Sequence, residues 1–170
     1  EEYGLKGIVF PITGYIGKNN NWDVTFGINQ AMHLNIDQIL SLSDNGWEIG
    51  SHGHLHKSFK WLKIDEIKKD VEISKRFIEN IIGKETISFC LPFGDLTKKS
   101  INIIEEAGFT KLFMQLPLLN RKLNTQKLQF NYSRSIYGID SVKSLTKKYN
   151  NSIIEHLKES FIHSFSTATV

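Results

Sequence analysis

Short apolar segments alternate along this chain with longer segments whose apolar residues recur at helical spacing. Four apolar, β-branched or aromatic runs have the length of buried strands: residues 5–12, 47–51, 86–91 and 109–114. Helical patterns separate these runs, at residues 35–46, 64–83 and 97–108. A weaker strand at 132–137 and a helix at 141–149 follow, and the pattern after residue 150 is ambiguous. This alternation predicts parallel βαβ units and an α/β fold, either an open doubly wound sheet or a barrel.

The ends of the predicted helices carry recognisable capping signals. Asn35 precedes the first helix with Gln38 three positions on, which is the spacing of a capping box. Thr97 is a short polar residue at the start of the third helix. Gly46 and Gly83 follow the first and second helices, where a left-handed residue commonly ends a helix. These signals place the helices between the strands.

Length and cysteine content limit the overall organisation. The 170 residues are enough for one domain with its own hydrophobic core, so we expect a single domain over residues 1–170. The single cysteine, Cys90, excludes a disulfide within the chain and hence a disulfide-built scaffold. The chain opens on Glu1 and Glu2 rather than on methionine, and we expect an upstream segment to have been removed.

The charge pattern argues against two classes of partner. The net charge of +3 comes from lysines scattered along the chain, without the basic block or the basic-aromatic interleaving of nucleic-acid binders. No apolar run approaches the ~20 residues of a membrane span, and the start lacks a secretory signal pattern. We therefore expect a soluble domain without nucleic acid as a partner. The compartment, cytoplasmic or exported, and the oligomeric state stay open.

Chemistry-bearing residues cluster where the predicted strands end. Thr13–Gly14, His52–His56 and Pro92–Gly94 each follow one of the first three strands. In both α/β architectures the working face lies at the carboxyl ends of the strands. Three separate segments therefore point to one site.

His52 and His56 are spaced to bind one metal ion. On a helical turn a separation of four residues puts both imidazoles on one side, and two imidazoles suit zinc or another borderline divalent ion. A catalytic site normally has a third protein ligand, for which a carboxylate is expected. The alternative is a polar turn whose histidines are solvated or bonded to the backbone. The strand-end location and the crowding by His54 favour the metal.

The histidine segment and its neighbours resemble a known family. Gly46–His56 resembles the metal-binding motif of the polysaccharide deacetylases (the NodB-homology or carbohydrate esterase 4 group), in which two histidines separated by three residues follow a Gly-Ser strand end. Other segments resemble parts of the family in the same order along the chain: Tyr3–Phe10 the second strand, Leu34–Gly46 the preceding helix, Leu91–Asp95 the groove wall, and Gly108–Phe109 the step into the next strand. The resemblance covers about the first two thirds of the chain.

The resemblance implies a deformed (β/α) barrel that removes N-acetyl groups from an amino-sugar-containing carbohydrate or polysaccharide. It implies a divalent metal, usually zinc, held by His52 and His56 together with an aspartate. Pro92 and Phe93 would belong to the substrate groove. His163, in the Phe-Ile-His sequence near the chain end, would be the acid that protonates the leaving amine. For His163 the alternative is an exposed position on the flank of an amphipathic helix.

The chain also departs from the family pattern. The family's Asp-Asp pair precedes the second strand, and no Asp-Asp pair occurs in these residues, so we expect the family's first strand to be missing from them. Cys90 stands where the family has an arginine that often orients the base. An inactive deacetylase-like module that binds a glycan or a protein is therefore the second hypothesis. A third is an unrelated α/β metalloprotein with His33 or His54 as a further ligand.

Overall fold

The fold is α/β, as the alternation of segments predicts. The computed structural model describes residues 4–20, 32–94, 96–115, 127–133, Ser141 and Lys143. Its strands are β1 (Ile8–Val9), β2 (Glu48–Ile49), β3 (Ser88–Cys90), β4 (Lys111–Gln115) and β5 (Gln129–Ser133). Its α-helices are α1 (Ile36–Asp44), α2 (Ile64–Ile82) and α3 (Lys98–Glu106). Two short 3₁₀ turns cover Thr13–Tyr15 and Pro92–Gly94, in the segments that follow β1 and β3.

The strands are parallel and adjacent in chain order. β1 pairs with β2, while β3, β4 and β5 form a second parallel set. A parallel bridge between Ser51 and Phe89 joins the two sets just beyond β2. There the Cys90 N–H donates to the Ser51 carbonyl at 2.8 Å. This order differs from that of a doubly wound sheet, in which the order reverses. The sheet does not close within the described ranges, so the structure shows the α/β part of the prediction and no barrel.

The capping signals read from the sequence are confirmed. The Asn35 side chain accepts a hydrogen bond from the Gln38 N–H, and the Gln38 side chain accepts one from the Asn35 N–H, both at 2.9 Å. The Thr97 hydroxyl accepts from the Ser100 N–H at 3.1 Å. Gly83 ends α2 in the left-handed conformation, at φ +67°. Local sequence therefore determines where these helices begin and end.

The strand predictions are less accurate than the helix predictions. β1 and β2 are shorter than the apolar runs that contain them, because the chain turns into loops soon after each pair of bridges. β5 begins at Gln129, three residues before the predicted start at Tyr132. Leu128 is buried beside it and Phe130 packs on the core, a period-two pattern that indicates a strand. The helix predicted at 141–149 and the segment after 150 lie outside the described residues, apart from Ser141 and Lys143.

Two apolar clusters hold α2 against the sheet. The larger contains residues from α2, α3, the strands β3 and β4 and the segments that adjoin them: Phe59, Ile67, Val71, Phe89, Leu91, Ile101, Ile103, Ile104, Phe109, Leu112, Met114 and Leu128. The smaller joins Ile78 of α2 to Ile39 of α1 and Ile49 of β2. Because α2 enters both clusters, it is packed against the rest of the protein along most of its length. Within the described ranges, no helix combines the length and the apolar character of a membrane span.

Candidate functional site

The loops that follow β1 and β2 contact each other directly. The Thr13 N–H donates to the Gly53 carbonyl at 3.2 Å, and the Gly14 N–H donates to the His54 carbonyl at 2.8 Å. The Thr13 hydroxyl lies 2.9 Å from Nδ1 of His54. His54 is thereby engaged with the β1 loop. A Cβ at Gly14 would lie 2.4 Å from the His54 carbonyl oxygen, so the two loops approach at a distance that only glycine allows.

The end of β3 and the loop that follows it contact the loop after β2, so the three predicted segments lie together. Nδ1 of His52 lies 2.8 Å from the Cys90 carbonyl oxygen. The ring of His56 lies between two others, with its centroid 5.0 Å from that of His52 and 4.7 Å from that of Phe93. The predicted convergence of the loops at the carboxyl ends of the strands is confirmed.

The environment of His52 suits a metal ligand. A carbonyl oxygen only accepts hydrogen bonds, so Nδ1 carries the proton and the lone pair of the neutral ring is on Nε2. Burial lowers the pKa of His52 from its ordinary value, and the Cys90 hydrogen bond and the Asp70 charge oppose this in part. A neutral imidazole whose other nitrogen donates to a backbone carbonyl is the usual arrangement of a metal-binding histidine.

The two imidazoles are brought together by an irregular loop and not by the helical turn that the spacing suggested. Residues 52–56 have no helical assignment. Gly53 has φ +77° and His56 has φ +53°, both in the left-handed region. A non-glycine residue seldom occupies that region and does so mostly where the surrounding structure holds it there. The four-residue spacing predicts the proximity of the rings, but its physical cause is the folded loop.

Two polar residues of α2, Asp70 and Ser74, hold residues 52–56, which we call the histidine loop. The Asp70 carboxylate accepts hydrogen bonds from the N–H groups of His54 and Leu55, at 2.8 and 2.9 Å. The Gly53 N–H donates to the Ser51 hydroxyl at 3.1 Å, which donates to the Ser74 hydroxyl at 2.8 Å. Sequence reasoning missed both anchors, although polar residues among the core-facing positions of α2 are the signal that reveals them.

Among the described residues, His52 and His56 are two candidate metal ligands, and no third candidate joins them. No group of three or more His, Cys, Asp or Glu side chains in this part of the chain could hold a metal ion. Of the alternative ligands, His54 contacts Thr13, and His33 lies against the Tyr15 ring at 5.8 Å between centroids. The chemistry of His52 and His56 therefore fits one side of a metal site, to which a further ligand must be added.

The predicted groove residues differ in the surface that they present. Phe93 is half-buried, with φ +56° and its ring against His56. Pro92 is fully buried, and its Cγ would lie 3.7 Å from a Cβ at Gly53, so it supports the loop and has almost no surface for a substrate. The predicted acid, His163, lies outside the described residues.

Cys90 is a half-buried free cysteine at the end of β3. Burial raises the pKa of its thiol from 9.0 to about 12. We expect iodoacetamide at pH 8 to alkylate the native protein about a thousandfold more slowly than the urea-unfolded protein, because the thiolate is the reactive form. Mass spectrometry of timed samples measures both rates. Equal rates would contradict the burial of the thiol.

The fold and the site together indicate the class of protein: an α/β protein with parallel strands in chain order and a histidine pair at their carboxyl ends. The sequence model of the polysaccharide deacetylase family matches residues 1–112. The chain belongs to the polysaccharide deacetylase family.

Solved structures share this fold at low sequence identity. A de-N-acetylase from Aggregatibacter actinomycetemcomitans matches with a TM-score of 0.63 and 14% identity, over 86% of this chain and 66% of that one. A polysaccharide deacetylase from Bacillus cereus matches with a TM-score of 0.64 and 16% identity, over 84% of this chain and 41% of that one. The Streptococcus pyogenes deacetylase PplD, in complex with acetate, has a TM-score of 0.58 and 16% identity, over 68% and 47% of the two chains.

One curated relative matches as well. An uncharacterized 30.6 kDa protein of Geobacillus stearothermophilus is 24% identical over 92 residues, which are 54% of this chain and 35% of that protein. The chain thus spans about a third of the curated relative and between 41% and 66% of the three structures.

Proposed function

We propose that the protein is a metal-dependent hydrolase that removes N-acetyl groups from an amino-sugar-containing carbohydrate or polysaccharide. The observation that carries this proposal is the pair His52 and His56, whose rings lie 5.0 Å apart at the carboxyl ends of the strands. Membership of the family and the deacetylase fold support it. The metal is a divalent ion, with zinc the best match to two imidazole ligands.

The proposal extends to the domain and the fold. Residues 1–170 form one deacetylase-like domain, and its strands belong to a deformed barrel. Parallel strands adjacent in chain order support a barrel, because each crossover then adds its strand to the same growing edge. The third ligand is a carboxylate that the described residues do not supply.

The chain's own residues supply orientation and shape. A bound divalent metal supplies a Lewis acid and lowers the pKa of water. His52 and His56 would hold the ion, and the hydrogen bond from His52 Nδ1 to the Cys90 carbonyl leaves the Nε2 lone pair available as a ligand. Phe93 packs against His56 and limits where the acetamido group of the substrate can lie. His163 is the proposed acid for the leaving amine.

Metal content tests this proposal most directly. We expect the chain to bind about one zinc ion, and the His52→Ala/His56→Ala double variant to lose it. His54→Ala is the matched control, because this histidine lies in the same loop with its ring against Thr13. Elemental analysis after gel filtration measures the content. Zinc that is retained in the double variant, or lost equally in His54→Ala, would contradict the assignment.

Acetate release then separates the enzyme from the alternative, a catalytically inactive deacetylase-like module that binds a glycan or a protein. The sequence feature behind this alternative is that no Asp-Asp pair occurs among the 170 residues. An N-acetylglucosamine oligomer is incubated with the zinc-loaded chain and with the double variant, and acetate is quantified. Release that depends on the two histidines supports the hydrolase. Binding of the oligomer without release supports the inactive module.

A further inference from the structure

Asp70 is a buried carboxylate whose described partners are backbone N–H groups. It is 6% exposed, and each of its oxygens accepts one hydrogen bond, Oδ1 from His54 and Oδ2 from Leu55. A buried charge is costly unless it is paired or well hydrogen-bonded, and N–H bonds to a carboxylate are stronger than bonds between neutral groups. The two hydrogen bonds therefore fix the carboxylate and the loop backbone relative to each other.

The two peptide groups that Asp70 binds lie between the two histidines. The start of the loop is held elsewhere, since the His52 N–H donates to the Pro11 carbonyl at 3.2 Å and the His52 ring donates to Cys90. Leu55 directly precedes His56, so the bond from its N–H to Asp70 comes one residue before the left-handed His56. The direction of the His56 side chain relative to His52 therefore depends on the Asp70 carboxylate.

Asp70 itself has a rigid support. It lies on α2 close to the buried residues Ile67 and Val71. One turn further along the helix is Ser74, which binds the loop through Ser51. Ile67 and Val71 are 1% and 0% exposed within the larger apolar cluster. A helix fixed in the core thus presents two polar anchors to the same loop, at the i and i+4 positions of one face.

We propose that Asp70 is a positioning residue that holds His52 and His56 in the geometry needed to bind one metal ion. The inference rests on the proposed function for the metal, whereas the arrangement of the rings is a property of the chain itself. Asp70 touches neither imidazole directly through a hydrogen bond and acts through the backbone of His54 and Leu55.

Asp70→Asn tests the proposal with little change in side-chain size. The amide has one acceptor oxygen, so its NH₂ group would face one of the two backbone N–H donors and a hydrogen bond would be lost. Asp65→Asn controls for the lost charge, because Asp65 is an exposed residue of the same helix. Val71→Ala controls for lost stability, because Val71 is buried in the core and has no part in the loop.

Two readouts separate positioning from a purely structural role. The first is the affinity of the folded proteins for Co²⁺, followed by its visible absorption at a temperature where every variant is folded. We expect Asp70→Asn to bind Co²⁺ about tenfold to a hundredfold more weakly, the loss usual for residues that orient metal ligands. The second is the nuclear Overhauser contact between the rings of His56 and Phe93 in the metal-free protein, which we expect Asp70→Asn to lose and both controls to keep.

The outcomes are distinct. Loss of the ring contact together with weaker Co²⁺ binding in Asp70→Asn alone supports the proposal. A retained contact, an unchanged affinity, or an equal loss in Val71→Ala overturns it. If the parent chain binds no Co²⁺, the proposed function fails, and the contact between the His56 and Phe93 rings by itself decides whether Asp70 positions His56.

Discussion

Gly53→Ala is expected to destabilise the protein by about 2.5–5 kcal/mol, through added backbone strain and weakened hydrogen bonds. Gly53 has φ +77°, where a side chain costs about 1–2 kcal/mol. The added Cβ would also lie 2.5 Å from Oδ1 of Asp70, so the carboxylate must move away from the N–H groups of His54 and Leu55. Weakening hydrogen bonds to a charged group costs a further ~1.5–3 kcal/mol.

Gly83→Ala is the matched control for this prediction. Gly83 has φ +67°, and a Cβ there would meet nothing within 4 Å. Alanine at this position would therefore have the same kind of backbone strain without the clash, and we expect a loss of about 1–2 kcal/mol. Urea unfolding monitored by circular dichroism gives both free energies of unfolding. Equal losses of unfolding free energy at the two glycines would contradict the predicted clash between the added Cβ and the Asp70 carboxylate.

Phe89→Ala is expected to lower the free energy of unfolding by about 3–5 kcal/mol, because it leaves a large cavity in the core. Phe89 lies on β3 and is 0% exposed. Its ring centroid is 6.0 Å from that of Phe59 and 5.1 Å from that of Phe109, the latter edge-on. The neighbouring Cys90 carries the carbonyl that holds His52, so we also expect zinc binding to weaken.

Phe77→Ala provides the comparison for the core prediction. Phe77 lies on α2 but is 36% exposed, so its removal leaves no enclosed cavity, and we expect a loss of about 1 kcal/mol or less. Chemical denaturation of both variants under one set of conditions measures the difference. A Phe89→Ala loss no greater than that of Phe77→Ala would contradict the position of β3 at the centre of the larger cluster.

Much of the fold could be predicted from the sequence because the signals are local. The capping box of Asn35 and Gln38 depends on residues three positions apart, and the apolar stripe of α2 depends on residues three and four apart. Strand limits were harder to predict. The pairing of β4 with β5 places Lys111 opposite Gln129, and this register depends on contacts that no short window of sequence contains.

Some features of the candidate site could likewise be predicted from local sequence, and others could not. The strand-end positions of Thr13, His52 and Phe93 followed from parallel βαβ units, because the carboxyl ends of parallel strands share one edge. The role of Asp70 did not follow, because a carboxylate in a lysine-rich and glutamate-rich helix is ordinarily a solvated residue. Only the packing of α2 beneath the loop shows that this carboxylate is buried and bonded to the loop backbone.

Residue types and their spacing were enough to predict the α/β class, the helix ends and the strand-end location of the histidines. Each of these depends on residue types a few positions apart or on the directional rule of parallel sheets. Two features became visible only in the folded protein: the Cys90 carbonyl binds His52, and His56 adopts a left-handed conformation beside Phe93. These features depend on contacts between residues that are distant along the chain, and such contacts exist only after the helices have packed on the sheet.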